Sequence, residues 1–482
     1  MSRPEAATAG RPLYVDMDGT VLATDSLWES VLALVKSKPY VLFLFPLWLW
    51  KGKANFKHEI ARRVVLDASI LPYRKDVLAF LVEERKAGRE IILATASDRS
   101  IALNVARQLG VFSAVLATEG SVNLSGSRKL DAIERHAAGK GFDYIGDSAV
   151  DIPVWRAAQG ALMVSPSSRL LKRVSATSSV VKVFGAEGSK LAHLVRELRV
   201  HQWIKNLLVF VPLIVGHKIT DVDMVFKAMW GFLAFSFCAS SVYVLNDLID
   251  LESDRHHPQK RNRPFAAGRL GIPAGALITP LLLMLGGSAA VFLVTPRFSL
   301  ELLIYFAITL GYSFWIKRIV IFDVLTLAGL YTIRVLAGGA ATGIPISPWL
   351  LAFSAFLFLS LAFMKRYAEL RMIQALSGVE VKGRDYNVGD MELLSSVGPS
   401  SGLLCILVLA LYVNSPDVAL LYRSPLALWL IGPCLLYWIT RLWLLAHRGA
   451  VEGDPIVFTA KDPVSYIVGG LILAVIAGAS LF

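Results

Sequence analysis

A chain of 482 residues holds two or three domains at roughly 100–200 residues each, which excludes a single small module. It is 55% apolar and only 18% charged, against roughly 45–50% and about 25% for a soluble domain, so lipid must solvate part of it and disorder is excluded. The 49 Lys and Arg outnumber 37 Asp and Glu to leave +12, a balance that fits nucleic acid, an anionic membrane surface or phosphate-rich substrates, and position must choose among them.

Met1 to Gly10 is small and polar and lacks the charged-then-apolar pattern of a secretion signal, so the first domain is expected to stay in the cytoplasm. Four short apolar runs follow, PLYVDMD, EIILATAS, AVLATEG and FDYIGDS, each ending on polar residues and separated by charged helical stretches. That rhythm predicts an α/β, Rossmann-like domain over residues 1–185, with its active residues at the carboxyl edge of a parallel sheet. The run Pro39 to Trp50 (PYVLFLFPLWLW) is too short for a span, since it rises only about 18 Å as a helix. Two readings stand: a buried cap helix, or an aromatic segment flanked by Lys51, Lys53 and Lys57 that lies in the membrane interface. The small-residue stretch 175–179, with Gly185 and Gly188, is the best linker candidate, and the domain boundary is set at 186–198.

Residues 199–482 are predicted to form an all-α polytopic membrane domain of nine helices, over 203–217, 224–245, 273–294, 299–316, 321–341, 347–365, 399–414, 425–445 and 463–482. With the first domain inside, the inside loops collect Arg255, Lys260, Arg261, Arg263, Arg269, Lys317, Arg318, Lys365, Arg366, Arg371, Lys382, Arg384, Arg441, Arg448 and Lys461. The outside keeps Lys218, Lys227, Arg297 and Arg423, an asymmetry that predicts a cytoplasmic N-terminus and an outer C-terminus, as in a bacterial inner membrane. Cys238, Cys405 and Cys434 lie in apolar runs and suggest neither a disulfide framework nor a zinc site.

Two constellations carry chemistry. At the end of the first strand, Asp16 and Asp18 stand two residues apart and so project together. Such a pair can hold a divalent cation, or one acid can attack phosphorus while the other serves the leaving group. Thr95, Lys129, Asp147 and Asp151 follow in order, a hydroxyl and an ammonium for phosphoryl oxygens and late acids for magnesium. This ordered set resembles the haloacid dehalogenase (HAD) superfamily of phosphatases over about residues 12–170. The resemblance implies that Asp16 is the nucleophile, Asp18 the general acid/base, Thr95 and Lys129 phosphate ligands, and Asp147 and Asp151 acids of a magnesium site shared with Asp16 and Asp18. A folded domain that serves only for docking is the bland alternative.

The second constellation is NDLIDLESDRHHPQKRNRPFAAG. On a helix Asp247, Asp250 and Asp254 share one face, where magnesium could hold a diphosphate, and Arg255, His256, Lys260, Arg261 and Arg263 add positive charge. Within its predicted helices this pattern resembles the UbiA-type intramembrane prenyltransferase family over about 198–482. Ordinary members carry a second Asp-rich motif after the sixth helix, where this chain reads Met364-Lys365-Arg366-Tyr367-Ala368-Glu369-Leu370. Two cations in place of acids suggest a second anionic substrate. That departure, with HQWIKNLLVFVP, resembles the decaprenyl-phosphate phosphoribosyltransferase-like branch, which moves phosphoribose from phosphoribosyl diphosphate onto a polyprenyl phosphate.

The resemblance implies that Asp247, Asp250 and Asp254 serve the metal and the diphosphate. Asn246, Lys260, Arg261, Arg263, Lys365, Arg366 and Glu369 are candidate substrate-binding residues. Lys205, Tyr312 and Lys317, at expected cytoplasmic helix ends, contact phosphates or act as snorkelling anchors. Arg334 lies deep in an apolar segment and is expected to face a cavity and find an anion, while Asp323 is a ligand or a helix cap. The expected partners are phosphoribosyl diphosphate, polyprenyl phosphate and membrane lipid, with a second copy of the chain admitted, no nucleic acid, and Mg2+ as cofactor. The alternatives are prenyl transfer from prenyl diphosphate to an aromatic or quinone precursor, and a lipid-carrier binding or transport module.

Overall fold

A computed structural model describes residues 10–119, 123–185, 188–257, 259–375, 385–451 and 453–481. Lys382 and Arg384, two of the expected inside cations, lie outside the described residues, as do residues 1–9 and residues 186–187 of the expected linker. The chain divides into two compact units, Met1–Leu198 with Val244–Ile278, and Arg199–Tyr243 with Thr279–Phe482.

The first unit is built on six parallel strands, β1 (Leu13–Val15), β2 (Ile91–Asp98), β3 (Ala114–Thr118), β4 (Asp143–Gly146), β5 (Gly160–Val164) and β6 (Val180–Phe184), in the order β3-β2-β1-β4-β5-β6. Helices cover both faces, so β1, β4 and β5 are buried throughout and read as continuous apolar runs rather than alternating ones. The order reverses between β1 and β4, and ligand crevices open at the carboxyl ends of strands at such a point. Val15 pairs with Ile145 there, which brings the residues after β1 beside those after β4.

Two stretches of this unit differ from their sequence expectations. The stretch 175–179 is no linker: the Ser179 carbonyl accepts a 2.8 Å bond from the Ala161 amide and leads into β6. The run Pro39–Trp50 is no buried cap helix either. It is a 3-10 turn, Pro39–Leu44, joined to a short helix, Phe45–Trp50, that turns Val41 and Trp48 inward. Tyr40, Phe43, Leu47 and Trp50 remain exposed, Phe43 and Trp50 at 87%.

In the second unit the helix Phe322–Thr342 is the centre, buried along most of its length. Among the described residues seven helices are long and apolar enough to span a membrane, and an eighth is added if Lys190–Glu197 and Val200–Val215, bent by 42°, form one span. They mark an integral membrane protein. The expected number of nine is not reached by this measure, because Pro296–Phe314, the fourth expected span, carries Arg297 and Glu301 near its start.

Candidate active sites

The first site gathers at the β1/β4 crevice. Asp16 follows β1, and its amide donates to the Ile145 carbonyl at 3.0 Å, so the backbone of the neighbouring strand fixes its position. Carboxylate oxygens of Asp16, Asp147 and Asp151 lie within 4.8 Å of one another. Asp147 fits because residue 19 is glycine: at φ +74 it tolerates a left-handed backbone, and a Cβ there would stand 2.2 Å from Asp147 Oδ2. Lys129 Nζ reaches Asp16 Oδ1 at 3.1 Å and Asp151 Oδ1 at 3.0 Å, and it also donates to the Tyr144 hydroxyl at 2.8 Å. Tyr144 in turn donates to Asp151 Oδ1 at 2.8 Å.

Asp18 stands apart from the three-acid group. Its carboxylate accepts from the Ser26 amide at 2.7 Å, the Ser26 hydroxyl at 3.1 Å and the Ser97 hydroxyl. Thr95 is buried on β2, and its hydroxyl accepts from the Ser97 amide at 3.1 Å. Lys57 Nζ donates to the Ala96 carbonyl at 2.8 Å. Asp16, Asp18, Thr95, Lys129, Asp147 and Asp151 all line one cavity of about 500 Å³, together with Lys57 and Trp28. Sequence reasoning missed Ser26, Ser97, Lys57 and Tyr144, none of which belongs to a spaced motif.

Electrostatics follows from burial and crowding. Burial pushes Asp16 up to about 8, against the pull of Lys129 and with the push of Asp151 and Asp147. Burial, then the Asp151 charge, lifts Asp147 to about 7. Asp18 is raised to about 6 by burial and by Asp25, with Ser97 and Ser26 opposing. Three close carboxyls facing one ammonium lack positive charge, and hard oxygen ligands in this number suit magnesium. The residues present therefore fit a divalent cation held by Asp16, Asp147 and Asp151.

The acid run lies in the same compact unit. It is not one unbroken helix: Val222–Ile249 ends and Leu251–His256 begins at Asp250, although the Asp254 amide still donates to the Asp250 carbonyl at 2.8 Å. Arg263 Nη1 meets Asp247 Oδ1 at 3.0 Å and Asp254 Oδ2 at 2.6 Å, so two of the three acids already share one cation. A shared cation is the arrangement a metal would take over. Burial raises the Asp254 carboxyl, with Arg263 pulling it down and Asp247 pushing it up. Asn246 and Asp250 are half-buried, and Lys260 and Arg261 lie exposed in the turn Lys260–Asn262. Arg255 turns elsewhere, onto Glu29 at 2.6 and 3.0 Å.

In the second unit the expected phosphate-binding cations are matched by acids. Lys205 Nζ lies 2.6 Å and Lys365 Nζ 3.3 Å from Asp454 Oδ2, which also accepts from the Tyr331 hydroxyl at 3.0 Å. Burial pushes Asp454 up, but Lys205 and Lys365 outweigh it and hold the carboxyl well below the usual range. Asp454 was missed in the sequence; the Asp454-Pro455 pair, which caps the helix Pro455–Thr459, was its signal. Arg366 is fully buried and meets Asp323, Glu369 Oε2 at 2.6 Å and the Tyr312 hydroxyl at 2.7 Å. Asp323 also accepts from the Tyr386 hydroxyl at 2.8 Å. Arg334 was expected to meet an anion, but its partners are neutral: Asn206 Oδ1 at 2.8 Å, the Tyr305 hydroxyl at 2.9 Å and the Leu330 carbonyl. Lys317 is half-buried in the turn Ile316–Arg318.

Comparison with known proteins gives the chain's relatives. Residues 209–459 match the UbiA prenyltransferase family, and residues 13–156 match haloacid dehalogenase-like hydrolases. An uncharacterised protein of Sinorhizobium fredii is 38% identical over 464 residues, 96% of this chain and 89% of its own. A protein of Mycobacterium tuberculosis named decaprenyl-phosphate phosphoribosyltransferase is 38% identical over 189 residues, 38% of this chain and 62% of its own. A UbiA homologue from Archaeoglobus fulgidus, solved with GPP and Mg2+, aligns at 16% identity and a TM-score of 0.45 over 60% of this chain and 99% of that one. The chain is thus an enzyme that belongs to the UbiA prenyltransferase family and carries an N-terminal haloacid dehalogenase-like domain.

Proposed function

We propose that the membrane domain transfers 5-phosphoribose from phosphoribosyl diphosphate to a polyprenyl phosphate, and that the N-terminal domain then removes the 5-phosphate. In the first step an oxygen of the lipid phosphate bonds to the anomeric carbon while the carbon–oxygen bond to diphosphate breaks. Asp247, Asp250 and Asp254 would hold magnesium beside the departing diphosphate, and the Arg263 guanidinium would face its oxygens. When bound, magnesium would supply neutralisation of the charge that the diphosphate gains. Lys205 and Lys365, offset by Asp454, are the cations for the lipid phosphate. Arg366 positions Asp323 and Glu369 rather than touching substrate, because its guanidinium is taken up by Asp323, Glu369 and Tyr312.

In the second step Asp16 attacks phosphorus, the bond between phosphorus and the ribose 5-oxygen breaks, and Asp18 protonates that leaving oxygen. Water then hydrolyses the aspartyl phosphate, with Asp18 as base. An acid raised to about 6 suits both directions of that proton transfer near neutral pH. The observation that carries the transfer reading is Lys365-Arg366 where ordinary members carry acids, supported by the name of the mycobacterial relative. The topology that goes with it is nine spans in a bacterial inner membrane, with the N-terminal domain cytoplasmic and the C-terminus outside. Membranes containing the protein should incorporate label from phosphoribosyl diphosphate into lipid; label entering only from prenyl diphosphate would establish the ordinary prenyltransferase reading instead.

A further inference from the structure

The cavity that holds Asp16, Asp18 and Lys129 is not closed by the N-terminal residues alone: Gly271, Ile272 and Pro273 line it as well. They belong to Val244–Ile278, the stretch that carries the acid run and that packs into the first compact unit. Three attachments hold the stretch there. Arg255 and Glu29 form an ion pair whose side chains are 6% and 5% exposed, and Arg255 Nε also donates to the Ala266 carbonyl at 3.1 Å. Ile272, Phe265, Leu270 and Leu248 form an apolar cluster against which Leu32 packs. Gly268, at φ +70, lies so close to the strand-end loop that a Cβ there would stand 2.8 Å from the Ala23 Cβ.

Ile272 is also the first residue of the helix Ile272–Leu293, which is long and apolar enough to span a membrane. The cavity is thus two-sided. Acids and Lys129 offer a place for a phosphoryl group and a cation, while Trp28, Val150, Ile272 and Pro273 offer apolar surface where a membrane helix begins. A substrate that fills both sides carries its phosphate on a polar head and continues into lipid.

We infer that the first turn of the Ile272–Leu293 helix is the specificity wall of the phosphatase-type cavity, selecting phosphate monoesters on a membrane-anchored lipid over freely diffusing ones. Ile272 and Pro273 are its specificity-determining residues. The inference rests on the reading of the N-terminal domain as a phosphatase and adds what that domain selects.

The test uses the full chain in lipid nanodiscs with two esters, soluble p-nitrophenyl phosphate and a 5-phosphoribosyl polyprenyl phosphate. Wild type should favour the lipid-linked ester by at least about 100-fold in kcat/KM, a preference worth about 2.7 kcal/mol. Ile272→Ala should shrink that ratio about tenfold, by admitting the soluble ester and loosening the lipid-linked one. Pro273→Ala, at an exposed position outside the apolar cluster, should shrink it in the same direction and covers the case in which Ile272→Ala does not fold. A wild-type ratio near one, or a ratio unchanged in the folded variants, overturns the wall while leaving the phosphatase reading intact. Hydrolysis of neither ester overturns both.

Discussion

Around Lys129, three carboxylates face one ammonium; around Arg263, two face one guanidinium, and in the membrane unit Asp454 alone faces Lys205 and Lys365. The first centre is short of positive charge and holds its acids partly protonated until a cation arrives. The second is short of one positive charge, and the third has positive charge to spare for an anion. Motif residues of one type thus play opposite parts according to what folding sets beside them. A buried charge is costly unless paired, so the balance at each centre indicates what a ligand must bring.

The comparison breaks most visibly at Asp16. Asp16→Asn cannot attack phosphorus, so release of the 5-phosphate should fall by at least about a thousandfold, read as phosphate released per mole of lipid product. A smaller loss would mean that the crowded acids are not a phosphoryl-transfer centre. At the Arg263 centre, Asp250→Asn removes one acid without breaking the backbone bonds at 246 and 254, and transfer should drop about 100-fold in a labelled-lipid assay. Activity near wild type would move the diphosphate site elsewhere.

Arg366→Ala sharpens the contrast between binding and positioning cations. Removing it leaves Asp323 buried without its guanidinium, which should cost about 3–5 kcal/mol of stability, seen as a lowered unfolding midpoint in detergent. Rescue by Arg366→Lys should be poor because lysine cannot serve Asp323, Glu369 and Tyr312 together. A stable Arg366→Ala protein with raised substrate KM would return Arg366 to the substrate site. Lys365→Met should instead raise KM for the lipid phosphate by an amount worth about 1.5–3 kcal/mol and keep the fold, since Lys205 still holds Asp454.

The smallest effect concerns protons. Carboxyls raised to about 8 and 7 make the native state bind more protons than the unfolded chain between roughly pH 4 and 8, so the metal-free domain should lose stability as pH rises through that window. Magnesium must displace those protons. Its binding at pH 7 should release about one proton, shown by calorimetry in buffers of different ionisation enthalpy, and none at pH 9.5. Release that does not change with pH would show that the acids were already ionised.

Much of this was legible in the chain itself. Four strand ends and their acids could be read because β1, β2, β3 and β4 are apolar runs closed by polar motifs, and the order of motifs implied a crevice. β6 was hidden behind a serine-rich turn that mimics a linker, and only its pairing with β5 reveals it. Asp454 escaped because its meaning lies in Lys205, far back in the chain, and spacing carries no signal at that separation. Lys365 and Arg366 read alike as substrate-binding cations, whereas three-dimensional packing buries one among acids and leaves the other 21% exposed. For Pro39–Trp50, hydropathy could not decide which face turned inward; the burial of Val41 and Trp48 does.

The mass of the lipid product shows whether both steps of the conversion occur. Purified full-length protein supplied with Mg2+, phosphoribosyl diphosphate and polyprenyl phosphate should yield ribosyl lipid without the 5-phosphate, while Asp16→Asn should accumulate the same lipid heavier by one phosphate. Identical phosphorylated products from both proteins would contradict the second step, and no pentose-bearing lipid from either would contradict the first.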